Sequence, residues 1–424
     1  MTAGAAPTTT APAAPGGWYA ALGGDGRHAF WAAFVGVALA AFDLFSFTFV
    51  LDAIRADLGL SAGQVGFLAT ASLVAAAVGG IIAGGLADRI GRVRTMQLTI
   101  LVYAVGSLLC GLAQDYWQLL LFRVLLGLGY GGDWSASSLL MAEYATPATR
   151  GRVLGALIGA APVGNILAAA AAALLAAIVA PELGWRIIFL VGLAPALLAF
   201  MLRREVKESP AYRAAREART SGAKPASGGI GRLLAPEFRR LTLGGVLLAT
   251  GAMSGLYVVL IWGPTFIRSQ EGFSVQQVSL LAILFQIGSC AGFMGGGYAQ
   301  DALGRKRSFA LFAVLAALTT WGYVGLDLDG VALAAGGIVV GFTTSAVVAG
   351  LGAYLAELFP TDIRGIGQGT TYSVGRALAA APITVVGDLA AGVGIGRAIG
   401  FSASLFVLCL IGLLLLPETK GKDL

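Results

Sequence analysis

A short cluster of charges and glycine occurs twice in this chain, each time between two long apolar runs. The segment Asp88–Arg92 (DRIGR) returns as Asp301–Arg305 (DALGR), at an offset of 213 residues. Glu143 and Glu357 also recur, each seven residues before an Arg-Gly pair, at an offset of 214. Features that repeat at nearly one offset indicate an internal duplication. In an apolar chain, a duplicated half is typical of a transporter whose site lies between two helix bundles.

The composition excludes an ordinary soluble protein. The chain has 424 residues, of which 57% are hydrophobic and only 12% are charged, whereas soluble domains carry about 25% charged residues. The net charge of +6 does not indicate a nucleic-acid partner, because the basic residues lie in short loops between apolar runs. The three cysteines lack metal-ligand spacing, and no nucleophile–base pair or nucleotide loop is visible. We therefore expect no metal, no cofactor and no enzyme activity.

The apolar runs have the length of membrane helices, since about 20 helical residues span the hydrocarbon core. The predicted fold is an all-α membrane protein with twelve transmembrane helices in two pseudo-symmetric six-helix bundles. The predicted spans are 29–51, 65–87, 95–113, 117–141, 153–180, 185–202, 241–267, 276–299, 308–326, 331–356, 368–390 and 398–416.

The distribution of Lys and Arg predicts the orientation. Most of them lie in the even-numbered loops and in the long polar segment between the bundles, which places these loops and both termini in the cytoplasm. We expect a multi-pass protein of the inner (plasma) membrane, a monomer that contacts the lipid bilayer. The predicted parts are a disordered cytoplasmic tail 1–28, an N-terminal bundle 29–202, a cytoplasmic linker 203–240, and a C-terminal bundle with a short tail, 241–424.

Charges inside the apolar runs are the functional candidates, because a charge at the bilayer centre costs at least about 2.5–3.5 kcal/mol and should face a cavity or a partner. They are Asp43, Arg123, Asp133 and Arg376. We expect Asp43 and Arg376 near mid-depth and Arg123 closer to the outer end. Asp43 is the first candidate for the proton carrier and Asp133 the second, because a desolvated carboxylate keeps its proton and an arginine-paired one releases it. A structural Asp–Arg pair is the alternative.

A substrate site is predicted on helices 4 and 11. At 100° per residue, Arg123, Tyr130 and Trp134 share one stripe of helix 4, and Tyr372 and Arg376 are one turn apart on helix 11. Arginine binds carboxylates with a planar fork, so we expect Arg376 and Arg123 to hold the carboxylate of a small organic anion. The other polar candidates have helix–helix hydrogen bonding as an alternative role. The predicted substrate-binding residues are Arg123, Tyr130, Trp134, Asn165, Tyr257, Gln286, Tyr372 and Arg376.

The duplicated cluster predicts a cytoplasmic gate. Gly84 allows close helix contact, and Asp88 can face the positive N-terminal end of a neighbouring helix. Such pairs can hold the cytoplasmic side shut and release it when the bundles rock; the alternative is that these charges only set the topology. The predicted gate residues are Gly84, Asp88, Arg92, Glu143, Arg150, Asp301, Arg305, Glu357 and Arg364.

These motifs resemble those of the major facilitator superfamily. Gly84–Arg92 and its copy Gly296–Lys306 resemble the loop 2–3 signature, Arg123–Gly132 the helix-4 signature, and Leu416–Gly421 a tail found in several twelve-helix branches. The segments around Asp43, Asp133 and Arg376 resemble those of the proton-coupled symporters of sialic acid, aromatic acids and related carboxylates, although those relatives often have Glu in place of Asp133.

The resemblance implies a secondary active transporter that imports a small organic acid by proton symport through alternating access. Three alternatives stay open from the sequence. The first is a proton-driven exporter of hydrophobic compounds, and the second is a sugar or metabolite facilitator. The third is a transporter-like sensor that binds its ligand without moving it across the membrane.

Overall fold

The computed structural model describes residues 17–180, 182–191, 205–220, 229–269, 273–326 and 328–424, and within them every regular element is a helix. The long helices are α1 Gly23–Phe49, α2 Ala62–Ile90, α3 Arg92–Leu112, α4 Tyr116–Tyr144, α5 Arg150–Ile178, α6 in residues 182–191, α7 Arg239–Ser269, α8 Val275–Leu303, α9 Arg305–Gly325, α10 Gly330–Leu358, α11 Arg364–Ala390 and α12 Ile395–Leu415. Shorter helices are Gly17–Ala21, Leu51–Asp57 and Pro210–Thr220, with 3-10 turns at Ile230–Leu234 and Ser404–Phe406.

Ten of the described helices are long and apolar enough to cross a membrane. The helix α4 is long enough but is not among them, and it carries the three charged residues Arg123, Asp133 and Glu143. The helix α6 is described only over 182–191, and the rest of the predicted span 185–202 lies outside the described residues. The twelve spans therefore stay a prediction, whereas the all-helical membrane architecture is confirmed.

The same local signals begin the helices of both halves. Ser61 caps α2 in a capping box with Gln64, and Ser274 caps α8 in the same way with Gln277. Aspartates cap the next even-numbered helices, since Asp115 accepts from a backbone N–H of α4 and Asp329 from one of α10. These caps satisfy backbone N–H groups that a helix leaves unpaired at its start.

Two glycines make the sharp corners at the charged clusters. Gly91 has a φ of 109° between α2 and α3, and Gly304 has a φ of 95° between α8 and α9. L-amino acids other than glycine avoid such angles. A side chain at either position would also meet a carboxylate, that of Glu208 or that of Glu418. The duplicated glycines are therefore required by both backbone angle and space.

The two halves contact each other through two helix pairs, and each pair has one helix from each half. The helix α2 of the first half packs against α11 of the second, and α8 packs against α5. Gly84 lies against the backbone of Gly365 in the first pair, and Gly297 lies against that of Gly151 in the second. Small residues at these crossings allow the close backbone approach that stabilises helix contacts in lipid.

The beginning of the chain differs from the sequence prediction. We expected residues 1–28 to be disordered, but residues 17–21 are helical and α1 begins at Gly23. The ring of Trp18 lies 5.3 Å from that of Phe30, centroid to centroid, and this aromatic contact holds the short helix against α1. Residues 1–16 lie outside the described residues.

Candidate functional site

A cavity of about 260 Å³ lies between the two halves. It reaches from mid-depth to the end of the molecule opposite the charged clusters, since its wall includes Thr48, the next-to-last residue of α1. All eight predicted substrate-binding residues line it, and so does Asp133. The wall also includes Phe47, Ser289 and Ser345, which were not predicted, because single apolar or hydroxyl residues carry no distinctive signal in a membrane helix.

Arg376 is the cation in the middle of the cavity. Its side chain is buried, and its Nη2 donates to the carbonyl oxygen of Ala76 at 2.6 Å. Ala76 is the central residue of α2, so Arg376 lies beside the middle of that helix. Its guanidinium carbon is 5.5 and 5.6 Å from the ring centroids of Tyr130 and Tyr372, close enough for cation–π attraction. Among the described residues, its Nε has no hydrogen-bond partner and no carboxylate lies within ion-pair distance.

An aromatic pair closes the inner end of the cavity. The rings of Trp134 and Tyr372 come from opposite halves, and their centroids are 5.1 Å apart at an interplanar angle of 39°. Tyr372 is one turn from Arg376 toward the charged clusters. The pair therefore separates the cavity from the glycine crossings that lie between it and those clusters.

Arg123 lies nearer the opposite end, beside α1. It is 1% exposed, and its guanidinium carbon is 4.0 Å from the ring centroid of Phe47. Its Nε and Nη1 have no hydrogen-bond partner in the described part of the chain. Arg123 precedes Gly131 by eight residues, about 12 Å of helix, and Gly131 lies against the backbone of Ala76, to which Arg376 is bonded. The expectation that both arginines hold one carboxylate therefore does not fit this geometry.

Asp43 is buried behind the cavity wall and does not line it. Its Oδ1 accepts a hydrogen bond from the hydroxyl of Ser107 at 3.0 Å, while Oδ2 has no partner among the described residues. Asp43 is six residues, or about 9 Å, from the end of α1. The helix α1 begins six residues before the predicted span, and the depth of Asp43 in the membrane stays a prediction.

The first charged cluster joins the two halves at α11. Asp88 accepts from the backbone N–H groups of Gly365 and Ile366 at 3.0 and 2.9 Å. Glu143 accepts from Arg92 at 2.8 Å within its own half and from Arg364 of the other half at 3.1 Å. All four predicted side chains therefore meet, and both carboxylates bond across the interface.

The second charged cluster repeats this arrangement with the halves exchanged. Asp301 accepts from the backbone N–H groups of Gly151 and Arg152 at 2.8 and 3.0 Å, at the start of α5. Glu357 accepts from Arg305 at 2.7 Å and from Arg150 of the first half at 2.8 Å. The molecule is thus closed at this end by equivalent bonds on both sides of its pseudo-twofold axis.

Two further carboxylates cap the neighbouring helices. Glu208 accepts from the N–H groups of Arg92 and Val93 at the start of α3. Glu418 accepts from those of Arg305 and Lys306 at the start of α9. Burial would raise the pKa of Glu418, but the backbone donors around it outweigh burial and lower the pKa. Glu208 and Glu418 are 210 residues apart in the sequence. This repetition could have identified both as members of the predicted cytoplasmic gate.

The comparisons with known proteins agree with this architecture. The sequence profile described as "Major Facilitator Superfamily" matches residues 33–382. A "Probable 4-methylmuconolactone transporter" of Cupriavidus pinatubonensis is 36% identical, over 95% of this chain and 93% of its own length. A "Cis,cis-muconate transport protein" of Acinetobacter baylyi is 30% identical, over 90% and 92%. The solved structure of the proton:xylose symporter XylE superposes with a TM-score of 0.77 at 20% identity, covering 93% of this chain and 96% of that chain.

Proposed function

We propose, on the premise that this chain belongs to the major facilitator superfamily, that it imports a small organic acid together with protons. The superfamily consists of multi-pass membrane transporters rather than enzymes. Relatives named for a muconolactone and for muconate support an acidic substrate for this chain as well. The cavity between the halves then serves as the substrate site, and the two charged clusters serve as the gate.

The main support for the proposal is the buried guanidinium of Arg376, which has no acidic partner among the described residues. A buried guanidinium without an acidic partner is costly in a membrane interior, so its site is arranged for an anion that comes and goes. The carbonyl of Ala76 and the rings of Tyr130 and Tyr372 fix its plane, which prepares the fork for a carboxylate. A cavity of about 260 Å³ also suits a small metabolite better than the bulky hydrophobic compounds of an exporter.

Asp43 is our candidate for the proton carrier. It lies one helical turn from Phe47, whose ring Arg123 covers, so a change in the position of Arg123 changes the electrostatic surroundings of the carboxylate. Burial favours the protonated form and a nearby cation favours the ionised form. If Arg123 moves when substrate binds, the proton affinity of Asp43 differs between the loaded and the empty carrier. Asp133, in the cavity wall, is the second candidate.

The charged clusters support alternating access. With both clusters joined, the end that carries them is shut, and the cavity extends toward the other end. Rocking of the halves would break the cross-interface bonds and separate Trp134 from Tyr372, which opens a route on that side. We place the clusters, both termini and the linker in the cytoplasm of an inner-membrane protein, and we expect it to act as a monomer.

The proposal is tested by titrating purified protein with an unsaturated carboxylic acid and with its neutral amide. Wild type should bind the acid and not the amide, and Arg376→Gln should bind neither. Arg376→Lys keeps the charge but loses the fork, and it should weaken acid binding by about 1.5–3 kcal/mol, or roughly 10- to 150-fold. Arg397→Lys, an exposed arginine on α12, is the matched control and should bind as wild type does.

Two outcomes contradict the proposal. If wild type binds the acid and the amide equally, or if Arg376→Gln still binds the acid, the anion site is not at Arg376. A hydrophobic-compound exporter or a sugar facilitator would then be the better account. Binding that is retained without any flux in proteoliposomes would favour the sensor instead.

A further inference from the structure

The cavity holds two buried arginines from opposite halves. Arg123 projects from α4 and Arg376 from α11, and each lines the wall. They are 1% and 3% exposed, and each has at least one guanidinium N–H without a hydrogen-bond partner among the described residues. Neither has a carboxylate within 4 Å in this part of the chain. The organic-acid function uses only Arg376 as a ligand of the substrate, and Arg123 presents a second cation to the same cavity.

The two cations lie at different depths. Arg376 bonds to Ala76, which faces Gly131 of α4, and Arg123 is two turns farther toward the opposite end. Along the helix this separation is on the order of 10 Å. One carboxylate cannot contact both groups, because a charge-assisted hydrogen bond spans only about 2.8 Å. The cavity therefore offers two anion positions along its length.

The wall between the two positions is mostly apolar, although Tyr130 and Asn165 also line the cavity. Leu73 of α2 and Leu44 of α1 line this stretch, and the ring of Phe47 lies under Arg123. Once a bond of about 2.8 Å is allowed at each arginine, roughly 4–6 Å remains between the two carboxyl groups. A chain of about five C–C bonds of ~1.5 Å each, extended in a zigzag, covers this length. The site thus has a cation at each end and an apolar middle.

We propose that the cavity binds an extended dicarboxylate of about six carbon atoms lengthwise, with one carboxylate at Arg376 and the other at Arg123. This inference rests on the proposed function and specifies its substrate class. The inner carboxylate takes the fork that Tyr130 and Tyr372 orient. The outer carboxylate takes the free N–H groups of Arg123, and a proton on Asp43 removes the competing negative charge one turn from Phe47. Arg123 is therefore a specificity-determining residue for the second acid group.

The test compares hexa-2,4-dienedioate with its half-amide on the purified full-length protein, by calorimetric titration. Wild type should bind the dicarboxylate at least about tenfold more tightly, since the half-amide loses one charge-assisted interaction. Arg123→Gln should bring the ratio of the two affinities close to one. Arg268→Gln, an exposed arginine at the end of α7, is the matched control and should keep the wild-type ratio. Arg123→Lys, which keeps the charge in case the glutamine variant does not fold, should give an intermediate ratio.

Two outcomes overturn the inference: equal affinities in wild type, or an unchanged ratio in Arg123→Gln. Arg376→Gln separates this failure from failure of the organic-acid function. If Arg376→Gln abolishes binding of the half-amide while wild type shows no preference for the dicarboxylate, the organic-acid function stands and only the second subsite is wrong. If the half-amide binds to Arg376→Gln as to wild type, the organic-acid function fails as well.

Discussion

Asp43 combines full burial with an incomplete set of hydrogen bonds. Ser107 donates to one of its oxygens, and the other has no partner among the described residues. A buried carboxylate in that position is costly when ionised, so protonation relieves the cost and deprotonation requires a nearby cation. The geometry at this residue therefore favours a reversible proton over a permanent ion pair.

We predict that Asp43→Asn abolishes uphill accumulation driven by a pH gradient but retains exchange of internal for external substrate. Exchange needs only reorientation of the loaded carrier, whereas accumulation needs release of the proton. Both activities are measured in proteoliposomes with a labelled carboxylate. Asp52→Asn, an exposed carboxylate in Leu51–Asp57, is the control and should accumulate as wild type does. Full accumulation by Asp43→Asn would move the proton site to Asp133.

Single residues were predictable where their chemistry is rare in a membrane helix. Arg376, Arg123 and Asp133 stand out in apolar runs, and the structure places all three in the cavity wall. Ser107, which bonds to Asp43, carries no such signal, because hydroxyl residues are common in membrane helices.

At the scale of helices, four N-termini at the charged end of the molecule each receive a carboxylate. Asp88 serves α11, Asp301 serves α5, Glu208 serves α3 and Glu418 serves α9. Each carboxylate satisfies backbone N–H groups and lies at the positive end of the helix dipole. Two of the four bonds cross the interface between the halves, so the same chemistry that caps a helix also closes the molecule.

We predict that Asp88→Asn slows transport more than it weakens substrate binding and shifts the halves toward the form open at the charged end. The amide keeps the shape but loses the charge that the start of α11 stabilises. Spin labels at Ile90 and Leu303, equivalent exposed positions in the two halves, should report longer distances in the variant when native cysteines are replaced. Asp301→Asn should act in the same direction.

The control for this experiment is Asp388→Asn, an exposed carboxylate on α11 far from the clusters, which should leave the distances unchanged. Wild-type transport rates and distances in Asp88→Asn would mean that the motif only directs topology.

The pairing of helices across the interface could not be predicted from the sequence. Spacing identifies the charges, but the pairing of α2 with α11 and of α8 with α5 depends on packing across the interface.

At the scale of the whole molecule, duplication explains why one closed end has two equivalent locks. The capping serines, the corner glycines and the charged clusters all recur at offsets of 213 or 214 residues, and the structure places the copies in equivalent surroundings. The cavity does not share this symmetry, because Arg376 in the second half and Arg123 in the first lie at different depths. The gate residues are therefore duplicated in the two halves, whereas the cavity residues differ between them.

The orientation of the molecule can be tested directly. Lys and Arg are concentrated in the loops at the charged end and in the linker, and such loops stay in the cytoplasm. We predict that a cysteine at Ala214, on the linker helix Pro210–Thr220, is protected from an impermeant thiol reagent in intact cells and reacts in inside-out vesicles. A cysteine at Gln114, exposed between α3 and α4, should show the opposite pattern. Both are made after replacement of Cys110, Cys290 and Cys409. Labelling of Ala214→Cys in intact cells would invert the topology, place the closed end outside and turn the proposed import into export.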